Sequence, residues 1–505
     1  MKINIFYEKK NIEFYGKVLL ASKLVQNKNV EEVKLGFYKS MILNFFKNLQ
    51  SKDHIINIYK DFWVNTEIIT ELSNLFSQDY YTVHEEEYLV YHSSIIENYK
   101  KNKYFISNHH LENLNGIFGL SDESKKTYKS KVNIDFKKYF STGNLRYFFM
   151  NLVKKKGHFK NNDNIKHILF SLSSPLFVLQ KQLFKQKIKI NESLLKDKKF
   201  DGLDYLDRYA LYEYTRRNFK LFLKFIKYNP NLNFLIRPHP NDQKFLRYYK
   251  LIFKKNKNIK IDMHNDIFYC LSKSSLVFSS PDNVALESII MGKETNVYYD
   301  RNDYLHNYVF ADHPFINLFS NKVFKNLSQI NNILEHSDKK KDSDEGNLKK
   351  LYDMYGLNQN TINEINKIII DAKNNRKENK NKFIQELILF SLKKIIRYIE
   401  YDKRNNNYGL EYFYKFKKKF KFSLSRILFF LIFKKNSSRL SILDNIYKFC
   451  LGKDIDTVSI DEHIGRSHIF NEKEIEKFLR FYEMNIPEIS IDHEKKIITF
   501  KKKYV

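Results

Sequence analysis

The chain reads as an α/β protein with two parallel-sheet layers, followed by a basic, mainly helical C-terminal extension. Three observations predict this. Short apolar runs alternate with helical-period segments from residue 3 to about 83, the pattern of strands joined by crossover helices. The alternation returns between residues 232 and 300, as LNFLIRPHPND and then NDIFYCLSKSSLVFSSPDNVALESIIMGKETNVYYD. Past residue 382 it gives way to aromatic residues interleaved with Lys and Arg.

Ile3–Tyr7 is a short apolar strand. A helix follows from about Glu13 to Val25, with Val18, Leu19, Leu20, Leu24 and Val25 suited to one buried face. Val33–Tyr38 and His54–Tyr59 read as strands, Glu67–Phe76 as a helix and Tyr80–Val83 as a strand; Tyr104–Ser107 and Ser141–Gly143 continue the layer. Residues 151–200 are polar around the apolar run Ile168–Leu179, giving a connection and the first strand of a second layer. Tyr205–Tyr228 has a helical period and leads into the strand Asn233–Ile236. Pro238 and Pro240 stop that strand and stiffen its exit. Ser275–Ser279 is another strand, followed by a helix that opens near Asp282 and ends at the Gly292 turn. Residues 339–350 are a surface loop or helix end, and 374–381 are the linker candidate. The expected units are therefore a first domain over 1–170, a second over 171–373 and an extension over 382–505.

The 505 residues, 43% hydrophobic and 16% aromatic, are enough for packed cores. The formal charge is +30, from 88 Lys and Arg against 58 Asp and Glu. That excess points either to an anionic partner or to AT-rich coding, which also accounts for the crowding of Lys, Asn, Ile, Phe and Tyr. Cys270 and Cys450 form no disulfide framework and no CxxC metal pair, which fits a reducing compartment. The N-terminal residues lack the apolar core of a signal peptide. Ile427–Phe433 is far shorter than the ~18 residues of a spanning helix. The tail segments IQELILFSLKKIIRYIEY and YFYKFKKKFKFSLSRILFFLIFKK suit a helix lying on an anionic membrane surface. They equally suit a helix packed on a domain with its lysines in water.

Four groups of residues could carry chemistry. Glu85, Glu86 and Glu87 are adjacent carboxylates after a strand. In a cleft their repulsion would raise one pKa and make a general base; on the surface they are a solvated acidic turn. Arg237 and His239 sit on a proline-braced turn past a strand end, where an open parallel sheet presents ligand-binding groups. Two cationic donors there suit a phosphate leaving group. Ser279, Ser280 and Asn283 surround a helix start that suits an anion, although Asp282 or Asn283 also fits as a plain helix cap. Glu287, one turn on, could accept hydrogen bonds from ribose hydroxyls. Gly143, in Thr142-Gly143-Asn144-Leu145-Arg146, permits a tight turn with Arg146 opening a helix.

Together these segments resemble the bacterial surface carbohydrate biosynthesis protein family, a group of glycosyltransferases with two Rossmann-like domains in the GT-B architecture. The resemblance spans roughly residues 10–300. It rests on Glu13 and Lys17 in IEFYGKVLLAS, on Glu85-Glu86-Glu87-Tyr88-Leu89, on Thr142-Gly143-Asn144-Leu145-Arg146, on the intact Arg237-Pro238-His239-Pro240, and on Asn283-Val284-Ala285-Leu286-Glu287-Ser288. A wider similarity extends to bacterial sialyltransferases and polysialyltransferases, which use CMP-activated donors. It implies Glu86 as the base that deprotonates an acceptor hydroxyl, with Glu87 as understudy. His239 binds or protonates the donor phosphate, beside Ser279, Ser280 or Asn283. Gly143, Asn144, Arg146, Arg237 and Glu287 complete the donor side; Glu13, Lys17 and Glu85 belong to the acceptor side. This sequence departs from the family at Tyr88, where a glycine is expected, at Leu145, where a proline is expected, and at Asp282-Asn283, where a hydroxyl pair is expected.

The resemblance therefore implies a cytoplasmic transferase that needs no metal or cofactor, uses a nucleotide-sugar donor, favours a CMP-sugar, and acts on a surface polysaccharide or lipopolysaccharide. The tail would hold it at the inner face of the cytoplasmic membrane. Asp454-Ile455-Asp456 has the spacing of a cation site but lies outside the α/β domains. A polyol-phosphate transferase using CDP-glycerol or CDP-ribitol is the alternative enzyme. A basic nucleic-acid-binding protein is the non-enzymatic alternative, but charge is diffuse over the first 380 residues and no nucleic-acid-binding signature is present.

Overall fold

The computed structural model describes residues 1–60, 72–83, 114–156, 167–186, 203–372 and 471–502, apart from short breaks within these stretches. Its architecture is α/β, with two Rossmann-like parallel sheets.

In the first sheet, β1 (Lys2–Tyr7), β2 (Glu32–Phe37), β3 (Ile55–Lys60), β4 (Asp79–Val83), β5 (Gly116–Gly119) and β6 (Tyr139–Ser141) run parallel. Their order is β2-β1-β3-β4-β5-β6. Ile3, Ile5, Val33, Leu35, Ile56 and Ile58 are buried, as expected for strands covered on both faces. α1 (Lys10–Val25) joins β1 to β2, α2 (Asp122–Val132) follows β5, and α3 (Leu145–Lys156) follows β6.

In the second sheet, β7 (His167–Ser171), β8 (Phe234–Arg237), β9 (Ile259–Ile261), β10 (Ser274–Ser279), β11 (Glu294–Tyr298) and β12 (Val323–Phe324) run parallel. Their order is β12-β11-β10-β7-β8-β9. After β7 the chain builds outward to one side and then to the other. The switch point therefore lies between β7 and β10, where an open sheet leaves a crevice at its carboxyl edge. α4 (Leu176–Gln186) and α5 (Leu203–Tyr228) cross from β7 to β8; α6 (Leu246–Ile252) leads to β9, α7 (Ile267–Ser272) to β10, and α8 (Asn283–Ile290) to β11. α9 (Tyr304–Phe310) and α10 (Pro314–Leu318) precede β12.

After the second sheet come α11 (Leu327–His336), α12 (Glu345–Tyr355) and α13 (Thr361–Asp371). The chain then returns to the first sheet. Ser121 Oγ donates to the Met354 carbonyl at 2.8 Å, and Asn27 Nδ2 to Asn366 Oδ1 at 2.8 Å. α14 (Glu472–Phe481), β13 (Glu488–Asp492) and β14 (Ile497–Lys501) also join it, with β14 antiparallel to β2. Ile497, Ile498 and Phe500 are buried there. The described end of the extension is thus one helix and a hairpin that covers the edge of β2.

The expected strand at Ser141–Gly143 ends instead at Ser141, because Gly143 turns the chain at φ +81°. β5 and α2 were not anticipated. The expected strand Tyr104–Ser107, most of the helix Glu67–Phe76, the linker 374–381, the Asp454–Asp456 pair and the membrane-directed segments of the tail lie outside the described residues.

Candidate functional site

The candidate site is assembled from the carboxyl ends of the strands in both sheets. Arg237 closes β8 and is buried, and its Nη1 donates to Cys270 Sγ on α7 at 3.3 Å. His239 is half-buried and caps the turn Pro240–Phe245, accepting the Asn241 backbone N–H on Nδ1 at 3.2 Å. With Nδ1 an acceptor, the neutral ring carries its proton on Nε2. The base of this turn is stiff. Asp242, fully buried, accepts from the backbone N–H of Val178 at 3.1 Å and Phe177 at 3.4 Å, and from the Tyr249 hydroxyl at 2.7 Å. Burial pushes its carboxyl up, against those hydrogen bonds. A carboxylate therefore occupies the first turn of α4, where N–H groups lack helical partners.

One strand separates β8 from β10, so Arg237 and Ser279 stand about 10 Å apart by sheet spacing. Ser279 Oγ donates to the Ser280 carbonyl at 2.9 Å, and Ser280 Oγ accepts from Asn218 Nδ2 of α5 at 3.4 Å. Both serines are buried. Asp282 caps α8 by accepting the Ala285 N–H at 3.1 Å. Burial pushes its carboxyl up to about 7, opposed by the Ala285 and Val284 N–H groups and by the charge of Arg146. The Tyr214 hydroxyl donates to the Tyr298 carbonyl at 2.5 Å and lies beside Ser280 and Asp282. Asn218 Oδ1 and Asn283 Oδ1 are buried oxygens with no hydrogen-bond partner among the described residues. Buried amide oxygens of this kind are open to an N–H or O–H donor.

From the first sheet, Asn144 caps α3, its Oδ1 accepting the backbone N–H of Arg146 at 2.8 Å and Tyr147 at 3.2 Å. Gly143 has no room for a side chain: a Cβ would lie 2.6 Å from the Gly356 carbonyl oxygen and 2.6 Å from Thr361 Oγ1. The opening turn of α3 faces α8, and Arg146 forms a buried ion pair with Glu287. This pair joins a helix of the first sheet to a helix of the second. Glu13 and Lys17 form a second buried pair at 3.1 Å, with Lys17 Nζ also donating to the Phe6 carbonyl at 2.9 Å. It stands at the carboxyl end of β1. Gly16, between its members, approaches Leu145 so closely that a Cβ would meet the Leu145 oxygen at 2.8 Å.

The structure thus brings Gly143, Asn144, Arg146, Glu287, Asp282, Ser280 and Asn283 into one region, with Glu13 and Lys17 behind it. It holds Arg237 and His239 one strand away. Glu85, Glu86, Glu87 and Tyr88 lie outside the described residues; β4 ends at Val83, two positions before Glu85, at the carboxyl edge of the first sheet. Sequence reasoning missed Asp242, Tyr214, Asn218 and His306. His306 Nδ1 accepts the Asp300 N–H at 2.7 Å after β11, and burial pushes its pKa down to about 4. A buried-face position on a long amphipathic helix marks Tyr214 and Asn218 only as core, so no sequence signal separated them from it. Among the described residues no cluster of three or more His, Cys, Asp or Glu side chains could hold a metal, and no helix is long and apolar enough to cross a membrane.

No known family profile matches the chain. No curated protein matches it either. Solved structures do. UDP-GlcNAc 2-epimerase from Methanocaldococcus jannaschii is 13% identical over 74% of this chain and 100% of that one, with a TM-score of 0.43. The wall teichoic acid polymerase TagF is 13% identical over 74% of this chain and 90% of its own, also with a TM-score of 0.43. The heptosyltransferase WaaC from E. coli, with ADP, is 8% identical over 66% of this chain and 99% of its own, with a TM-score of 0.29. Values this low carry no functional argument; the fold stands on the two strand orders.

Proposed function

We propose that the chain is a glycosyltransferase that moves a sugar from a nucleotide-activated donor, a CMP-sugar by preference, to a surface polysaccharide or lipopolysaccharide acceptor. One observation carries the reading: the Arg146–Glu287 pair sets the opening turn of α3 against α8. The carboxyl edges of two parallel sheets, each with its motif residues, thereby border one space. The donor nucleotide lies against the second sheet. Its phosphate is met by the Nε2–H of His239, with the charge of Arg237 beneath the turn. That donor hydrogen bond stabilises negative charge as the phosphate departs. Asn218, Asn283 and the α8 start contribute polar groups on the other side of the switch point. The acceptor lies against the first sheet, where Glu86, following β4, removes the proton from the attacking hydroxyl, with Glu85 and Glu87 beside it. Holding both substrates between two lobes supplies orientation.

The turn that carries His239 is braced from behind by Asp242, so the imidazole is positioned before ligand arrives. Glu287, engaged by Arg146, acts in this reading as the support that fixes α8 rather than as a free ribose acceptor.

Thermal-shift titration with CMP, CDP, UDP and GDP tests the donor assignment. A CMP or CDP shift that His239→Ala abolishes supports it, and Glu86→Gln should keep the shift and lose transfer. Normal turnover by Glu86→Gln refutes the base. A preference for CDP-glycerol in the donor screen moves the assignment to polyol-phosphate transfer.

A further inference from the structure

The second sheet carries a surface that the transferase chemistry does not use. From Tyr214 to Ile261 the sequence contains one acidic residue, Asp242, and it is fully buried at the start of α4. On the outer side of this stretch the end of α5 exposes Lys220, Lys224 and Lys227. The turn before α6 exposes Lys244, and α6 and its exit expose Arg247, Lys250, Lys254, Lys255 and Lys257. None of these has an ion pair among the described residues, in contrast to Arg216 and Arg217, which are held by Glu213 and Asp303. The two helices are neighbours, joined by the Phe219–Tyr249 and Phe219–Phe253 ring contacts at 5.9 and 6.1 Å.

Large apolar side chains stand in the same field. Leu251 is 64% exposed, Ile252 42% and Tyr228 67%; among the described residues only Tyr248 and Phe481 join them as exposed large hydrophobics. Tyr249 of α6 and its C-cap Phe253, both buried, already supply its packing to the core. Leu251 and Ile252 therefore project outward at a cost that internal packing does not offset.

We infer that this face, α6 with the end of α5, docks on the anionic headgroup surface of a lipid bilayer. Positive charge without accessible acid is complementary to anionic headgroups. Adjacent aliphatic tips at a helix end suit the acyl boundary, and the amphipathic rings of Tyr228 and Tyr248 beside them suit the headgroup level. The face is distinct from the tail segments on which sequence alone placed a membrane contact. α6 begins just past the His239 turn and is about 10 Å long. It runs back against the strand direction, so Leu251 and Ile252, like the end of α5, lie at the amino edge of the second sheet, opposite the carboxyl edge that carries Arg237 and His239. The inference does not depend on the transferase reading, because vesicle binding is measured without turnover.

Flotation of the full chain with phosphatidylcholine vesicles, with and without phosphatidylglycerol, tests it. Binding is expected with phosphatidylglycerol and not without it. The Lys250→Gln, Lys254→Gln, Lys255→Gln variant should bind about 100-fold more weakly, at roughly fivefold per lysine near an anionic surface. Leu251→Ser with Ile252→Ser should lose about tenfold. All five positions are solvent-facing, so folding is retained and is checked by circular dichroism. Wild-type binding by both variants assigns any membrane contact elsewhere and overturns the inference, as does equal binding to neutral vesicles or none to either. Loss in the lysine variant alone, with tighter binding to a single-stranded oligonucleotide than to vesicles, overturns it in favour of nucleic acid.

Discussion

Arg146 and Glu287 illustrate how much a residue's role depends on its partner. Both are buried, and each neutralises the other. Arg146→Met should leave an uncompensated carboxylate and cost about 3–5 kcal/mol in urea unfolding, with Arg146→Met combined with Glu287→Leu recovering much of it. Asp282 gives a pH-dependent signature. Its folded pKa, about 7, lies above the ordinary 3.8. The folded state therefore holds the proton more tightly, and stability from this group is fully present below about pH 4 and is lost as pH rises through 7. Asp282→Asn keeps a capping side chain and should gain on the wild type in melting temperature as pH goes from 5 to 8. His306 slopes the other way: its folded pKa is about 4 against the ordinary 6.5, so its contribution is present above 6.5 and is lost as pH falls toward 4. A wild-type profile flatter than that of either single variant, Asp282→Asn or His306→Phe, is the expected result. Equal profiles for wild type and Asp282→Asn would remove the burial argument.

Among the elements, the strand–turn–helix units read well from sequence because period and punctuation agree there. β1, β2, β4, β8 and β10 fall within about two residues of their expected bounds, and Asp282 was already marked as a possible cap. The Gly143 turn was legible as a turn. Its reason was not, since the oxygen that excludes a side chain belongs to Gly356, more than two hundred residues away. Gly143→Ala should cost about 2 kcal/mol or more, from strained backbone plus displacement of that carbonyl, measurable by chemical denaturation. The β13–β14 hairpin was missed for a similar reason. Ile489 and Ile491 alternate as a strand should, but they lie beyond a long basic tract, and no local pattern says which sheet edge they complete. Phe500 is fully buried against that edge, so Phe500→Ala should cost about 3–5 kcal/mol in unfolding free energy.

At the scale of the molecule, two sheets are tied at several points by chain that has already left one of them. α12 and α13 follow the second sheet yet pack on the first, and Tyr15 of α1 meets Phe149, Phe268 and Phe478. α1, α3, α7 and α14 therefore share one aromatic cluster, and rigid separation of the lobes must break or pivot about it. Phe149→Ala should loosen that joint and raise proteolytic cleavage between the sheets; an unchanged digestion pattern would show that the Arg146–Glu287 pair suffices without it. The hairpin edge also bears on biosynthesis. β2 ends at Phe37 and its outer partner begins at Ile497. At ribosomal speeds of about 5–20 residues per second, roughly 20 seconds to a minute and a half passes before that partner is made. Throughout that interval the nascent chain offers an unmatched strand to any passing neighbour, so yield in a host should depend on chaperone supply more than on the stability of the finished protein.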